Sequence, residues 1–154
     1  MIQGDIRHST STLFRNISAV IHLAGLSNDP TAEFNPKANN EINTKATIDL
    51  ALQARKSGVT RFVFASSCSV YDTGVEKENG IKTENTVVIP HSPYPLSKIM
   101  AEKGLLRLHD DSFCVTVLRK GTVYGFSPRM RYDLIVNSMV RDALRLGLVY
   151  VYCR

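Results

Sequence analysis

Hydrophobic and polar positions recur along this chain with two different periods. The run SAVIHLAG, Ser18 to Gly25, is short, apolar and ends in small residues. That pattern predicts a buried strand of a parallel sheet. From Ala38 to Ser57 the period lengthens. Ile42, Ala46, Leu50 and Ala54 recur every four residues, with Ile48 and Leu52 beside them, which predicts an amphipathic helix that stops at Ser57–Gly58. A second buried strand runs from Arg61 to about Ala65 in RFVFASS. Ser92 can cap the next helix, SPYPLSKIMAEKGLLRLHD, because Pro93 and Pro95 fall in its first turn, where a missing N–H costs nothing. FCVTVLR, Phe113 to Arg119, predicts a third strand, YDLIVNSMVRDALRL a helix, and LVYVY a final strand. Between these elements, SNDPTAEFNP is rich in turn residues, and Asp72 to Ser92 is a long polar loop. The alternation of strand and helix argues for an α/β, Rossmann-like layer, a parallel sheet flanked by helices, with active groups at the carboxyl ends of the strands.

Composition narrows the class without changing that picture. The 154 residues are 44% hydrophobic and 21% charged, enough for one domain with a core of its own. No apolar run approaches the length of a membrane span, and MIQGDIRHST has no apolar signal core. The net charge is +5, but the basic residues are scattered apart from RMR at Arg129–Arg131, and no aromatic-basic module points to nucleic acid. Cys68, Cys114 and Cys153 are far apart and lack metal-ligand spacing. Reduced thiols in the cytoplasm are the expectation, with Cys68 a small buried filler.

The candidate chemistry lies in HSPYPLSK. Tyr94 and Lys98 are four residues apart, so on a helix they share one face. An ammonium held beside a phenol favours the phenolate. Such a tyrosine can take a proton from a substrate hydroxyl while hydride leaves the same carbon, and Lys98 can also hydrogen-bond a ribose hydroxyl. A further hydroxyl is needed to hold the substrate oxygen. SSCS, Ser66 to Ser69, places candidates just after the second strand, although turn chemistry alone also accounts for a serine-rich strand end.

With these residues in place, the chain resembles the extended short-chain dehydrogenase/reductase family, specifically its NAD-dependent sugar-nucleotide epimerase/dehydratase group. GDIR resembles the loop after the family's third strand, whose Asp contacts adenine; this suggests Asp5 and Ile6. VIHLAG resembles the fourth-strand motif that lines the cofactor, suggesting Leu23, Ala24 and Gly25. NTKAT resembles the N-V-x-G-T helix motif, so Asn43 would help to hold the lysine through water. FASSCSVYD resembles F-x-S-S-x-x-V-Y-G, which implies Ser67 as the catalytic hydroxyl with Ser69 close to substrate. PYPLSK resembles the catalytic P-Y-x-x-S-K, implying Tyr94 and Lys98. VLRKGTVYGFSPR resembles the segment near nicotinamide and substrate, which includes Thr122. Arg129 could meet a substrate diphosphate, or sit in a solvated basic loop. The resemblance implies NAD as cofactor, with NADP open, and a nucleotide-sugar substrate. It also implies a homodimer through the helices near 38–57 and 93–110.

Departures from the family pattern narrow the reaction. Where family dehydratases carry an Asp-Glu pair, this chain has Cys68 and Ser69, so the acid and base for water elimination are missing. Hydride-out, hydride-back chemistry, as in 4-epimerases, or one-way ketone reduction remains. Asp72 stands where the family usually has Gly, and Asp tolerates unusual backbone angles better than most residues. The G-x-x-G-x-x-G turn that binds the pyrophosphate is not among the nine glycines. The expectation is therefore a partial Rossmann fold over 1–154, lacking the first βαβα segment and carrying the start of a substrate-binding region near its C-terminal end. VIHLAG would then form an exposed sheet edge. The alternative is a non-catalytic dinucleotide-binding or protein-interaction module that keeps the fold. If these residues are a piece of a larger enzyme, the 154 residues alone should bind NADH poorly; a cooperative melt together with micromolar NADH binding would overturn that expectation.

Overall fold

The computed structural model describes residues 2–27, 29–72 and 80–151, and the chain falls into two units, 1–120 and 121–154. In the first unit three strands, β1 (Ala19–His22), β2 (Arg61–Ser67) and β3 (Cys114–Lys120), form a parallel sheet in the order β1-β2-β3. The helices are α1 (Asp29–Phe34), α2 (Pro36–Asn40), α3 (Thr47–Lys56) and α4 (Pro93–Leu106). A π-helical stretch, Glu41–Ala46, joins α2 to α3, so the helix predicted from Ala38 is interrupted by a wider turn of the kind found at functional positions.

One face of the sheet holds the core. Phe62 and Phe64 of β2 and Val115 of β3 pack on Leu50, Ala51 and Ala54 of α3 and on Ala101 and Leu105 of α4. Phe113 adds a tilted ring, 6.0 Å from Phe62 between centroids. The intervening positions Ile21, Thr116 and Leu118 point, by alternation, to the other face and are exposed there. β1 is not the buried central strand its apolar run suggests: it pairs only with β2 among the described residues, and Ile21 and Leu23 are 69% and 70% exposed. It matches the exposed edge expected for a sheet without its first strands.

Several local expectations are corrected. Part of the segment expected to be turns is α1; Ala32 is fully buried there, and packing overrides the turn propensity of Asp29 and Pro30. Asn35 then caps α2, its Oδ1 accepting from Ala38 N–H at 3.0 Å, with Pro36 in the first turn. Ser92 stands at the N-cap position of α4, but its hydroxyl donates to Asp29 Oδ1 at 2.8 Å instead of capping the helix. Asp72 has φ −75°, ordinary extended backbone, so the missing Gly makes no conformational demand there. Cys68 is exposed, not a buried filler, because the strand has already turned into a short 3-10 segment, Cys68–Tyr71.

In the second unit α5 spans Ile135–Leu146 and ends at Gly147, whose φ of +66° suits glycine. Its start falls three residues later than the pattern suggests; Arg131 pairs with Asp133 in the preceding loop. Residues 148–151 form no strand: each is exposed, and no described strand pairs with them; Tyr152 lies outside the described residues. No described helix is long and apolar enough to cross a membrane.

Helices α3 and α4 meet at Gly104. A Cβ built there would lie 2.7 Å from Ile48 Cγ1. Gly104→Ala, which stabilises most exposed helices, is therefore expected to destabilise this protein by about 1–3 kcal/mol. Thermal melts of Gly104→Ala and of Gly104→Ala with Ile48→Ala should show the loss and its partial rescue.

Candidate active site at the carboxyl end of the sheet

Lys98 organises the site. It lies one helical turn after Tyr94 on α4, with its Nζ 5.8 Å from the Tyr94 ring centroid and 4.9 Å from that of Phe64. Nζ donates to Ala65 O, near the end of β2, at 3.0 Å. The residue is only 6% exposed. Burial, and then the charge of Lys120, push its ammonium down to about 8, with Glu102 opposing. The Tyr94–Lys98 spacing read from the sequence is thus realised as a buried cation beside a phenol.

Gly25 faces this pair from the end of β1. A Cβ there would lie 2.7 Å from Asn43 Oδ1 and 3.9 Å from Lys98 Nζ, and φ is +153°, so the position requires glycine. Leu23, Ala24 and Gly25 form an exposed shelf whose Gly25 end lies next to the lysine. Asn43 is 1% exposed and fixes that shelf: its Oδ1 accepts from Leu26 N–H at 2.8 Å, and its Nδ2 lies 2.9 Å from Leu26 O, 2.8 Å from Asn39 Oδ1 and 3.3 Å from Ser97 Oγ. The side chain of Asn43 is therefore committed to the loop and to α4.

Ser67 closes β2 and is half-buried. Its Oγ accepts from Ser69 N–H at 3.2 Å and lies 2.9 Å from Ser69 Oγ. In the sheet register Ser67 stands opposite Lys120. Asp5 and Ile6 belong to the first unit. Asp5 is exposed and clasped by Arg7, whose guanidinium and backbone N–H hold the carboxyl well below the usual carboxylate range. Thr122 and Arg129 lie in the second unit. Both are exposed, and the Arg129 N–H donates to Ser127 Oγ at 3.1 Å. The first unit thus brings Gly25, Asn43, Tyr94 and Lys98 close to one another.

Two groups escaped the sequence reading. Glu102, 3% exposed, accepts from Ser66 Oγ and takes a forked pair of bonds from Arg119, whose Nη1 donates to Tyr71 OH at 2.9 Å. It follows Lys98 by four residues, a spacing visible in KIMAE. Beside it a cavity of about 630 Å³ opens between Tyr71, Lys82, Leu106, Arg119 and Lys120, and Tyr94 and Lys98 are not in its lining. The second group is His22. Its Nε2 lies 2.8 Å from Thr47 Oγ1 and its ring stacks on Phe64; burial, and then the Lys98 charge, push it down to about 4. No cluster of His, Cys, Asp and Glu able to hold a metal occurs among the described residues.

Against this geometry the comparisons are specific. The model of the NAD dependent epimerase/dehydratase family matches residues 1–151. The chain belongs to that family. The UDP-glucose 4-epimerase of Vibrio cholerae is 40% identical over 129 residues, 79% of this chain and 38% of that protein. The structure of MoeE5 in complex with UDP-glucose and NAD superposes with a TM-score of 0.79 at 32% identity, covering 94% of this chain and 48% of that one. The UDP-glucuronic acid 4-epimerase of Bacillus cereus in complex with NAD gives a TM-score of 0.76 at 27% identity, covering 93% and 45%. The chain therefore spans less than half the length of these relatives. The fold is the Rossmann type, represented by three parallel strands and their helices.

The buried lysine has a stability signature. A lysine held at about 8, against 10.5 when unfolded, binds fewer protons in the fold than in the unfolded chain between those values. Stability should therefore rise as pH increases from about 8 to 10.5, and Lys98→Met should remove that rise. Denaturant unfolding across this window checks it; equal slopes in both proteins would contradict the burial argument.

Proposed function

We propose that this chain carries the catalytic elements of an NAD-dependent nucleotide-sugar 4-epimerase or ketoreductase, with Ser67, Tyr94 and Lys98 as the catalytic set. The observation that carries the proposal is the buried Lys98 ammonium, held on Ala65 O beside the Tyr94 ring and within reach of the Gly25 shelf. Lys98 uses one of its three N–H donors on Ala65, which leaves donors for a ribose hydroxyl. The shelf suits a dinucleotide, because an exposed glycine lets a ligand approach the backbone closely. Leu23, Ala24, Gly25, Tyr94 and Lys98 would hold NAD, with Asn43 supporting the glycine shelf from behind and Asp5 and Ile6 toward the adenine end. The bound cofactor supplies the hydride acceptor. Tyr94, as phenolate stabilised by Lys98, takes the proton of the substrate hydroxyl, and Ser67 donates a hydrogen bond to the resulting carbonyl oxygen. Ser69, Thr122 and Arg129 are assigned to the substrate, the latter two at the start of a substrate-binding region.

The relatives bound to UDP-glucose and NAD, or named as 4-epimerases, support a nucleotide sugar as substrate. Cys68 and Ser69 supply no carboxylate pair, so the reading excludes dehydration. A homodimer through 38–57 and 93–110 fits the half-exposed Leu96 and Met100, one turn apart on α4, and light scattering tests it. A cytoplasmic site of action accords with the free Cys68 and Cys114.

In the full-length protein, Tyr94→Phe should lower kcat on UDP-glucose or UDP-glucuronic acid by about 10²–10⁴-fold while leaving the fold unchanged by circular dichroism. Normal turnover by that variant would remove Tyr94 from the mechanism. The wild-type reaction also separates the two activities: an epimerase interconverts sugars with no net change in NADH, whereas a reductase consumes it in proportion to product.

A further inference from the structure

The first turn of α4, which carries Tyr94, is gripped from the side by three residues of the preceding helical segment. Asn39 Nδ2 donates to Pro93 O at 2.9 Å, Asn43 Nδ2 lies 3.3 Å from Ser97 Oγ, and Thr44 Oγ1 donates to Ser97 O at 3.0 Å. Ser97 Oγ in turn donates to Tyr94 O at 2.7 Å. On its other side Asn43 holds both backbone atoms of Leu26, next to the glycine shelf. Asn39 closes the circuit, its Oδ1 accepting from Asn43 Nδ2 at 2.8 Å. It is 1% exposed, and its two ends serve two different elements. A carboxamide of this length offers a donor and an acceptor on two separate atoms, whereas a hydroxyl has both on one atom and an ionised carboxylate only accepts. Such a network is rigid only when every member is satisfied, and no buried side-chain polar atom among the described residues lacks a partner.

We propose that Asn39 is a positioning residue that ties the Leu26 loop to the Tyr94 turn, so that the cofactor shelf and the proton acceptor are held as one body. The inference rests on the function proposed above. Removing the carboxamide deprives Asn43 Nδ2 of an acceptor and Pro93 O of its side-chain donor. Asn43 then keeps Leu26 and Ser97 as partners but loses the brace from Asn39, so its grip on Leu26 loosens. Asn39→Asp keeps the size and the acceptor but sets an oxygen against Pro93 O, breaking the link to α4.

The test uses the full-length protein and two readouts. Without added cofactor, amide hydrogen exchange in Asn39→Ala should quicken about tenfold at Leu26 while Phe62–Phe64 stay protected. With UDP-glucose or UDP-glucuronic acid, kcat should fall about tenfold with KM within about twofold. Val59→Ala, a core variant away from the network, should lose comparable thermal stability yet keep both kcat and Leu26 protection. If Asn39→Ala does not fold, Asn39→Asp is read by the same criteria. Leu26 exchange and kcat within about twofold of wild type would overturn the proposal, as would an equal loss of both in Val59→Ala. Should the wild type turn over no nucleotide sugar, the functional reading fails, and Leu26 exchange alone still decides the coupling.

Discussion

The burial of one ammonium governs this structure. Lys98 is drawn out of water between α4 and the end of β2, and its charge is met at close range by a backbone carbonyl and two aromatic faces, with the Glu102 carboxylate acting from farther off. Taking a cation out of solvent is costly, so the surroundings must be fixed and fully hydrogen-bonded for it to persist. That demand accounts for the close approach of β1, the π-helical stretch and α4 at one point. His22, a second buried base beside the same charge, is kept neutral chiefly by its own burial and then by Lys98.

The side chains that meet the demand are amides and hydroxyls. Asn39, Asn43, Thr44 and Ser97 bind one another or backbone atoms across three segments, and the bonds of Asn39, Asn43 and Thr44 cross from one element to another. The π-helical stretch contains Asn43 and Thr44, both buried toward α4. On the other side of Lys98 the pair Glu102–Arg119 ties α4 to β3, so the helix that carries Tyr94 is anchored at both ends of its active face. Catalytic precision of this kind comes from supporting groups as much as from the reacting ones.

The open surfaces have a related meaning. A parallel sheet is ordinarily covered on both faces, whereas here Ile21 and Leu118 are exposed on one of them and β1 is an edge. The chain spans less than half of its relatives, whose remaining length has no counterpart in these residues. The arrangement around Lys98 nevertheless comes from elements within 1–120.

The sequence by itself determined the element types that have a strong period and the residues whose chemistry is local. The strand at RFVFASS, the helix at PYPLSK and the shared face of Tyr94 and Lys98 follow from alternation and from four-residue spacing, which neighbours along the chain decide. It did not determine α1 or the fate of the Ser92 hydroxyl, because each depends on a partner distant in sequence, nor the exposure of Cys68, which follows from where β2 ends. The strand predicted at 148–152 had the right composition, but no described strand pairs with its described residues. Asn39 carries no signal in the sequence, since an asparagine in a helix looks like a weak helix former until Pro93 O, 54 positions away, is seen to accept from it. Lys98 shows the division most clearly: its place on the helix face was legible in the spacing, but its desolvation, and hence its chemistry, was decided only by the tertiary packing of Phe64, Ala65 and Gly25 around it.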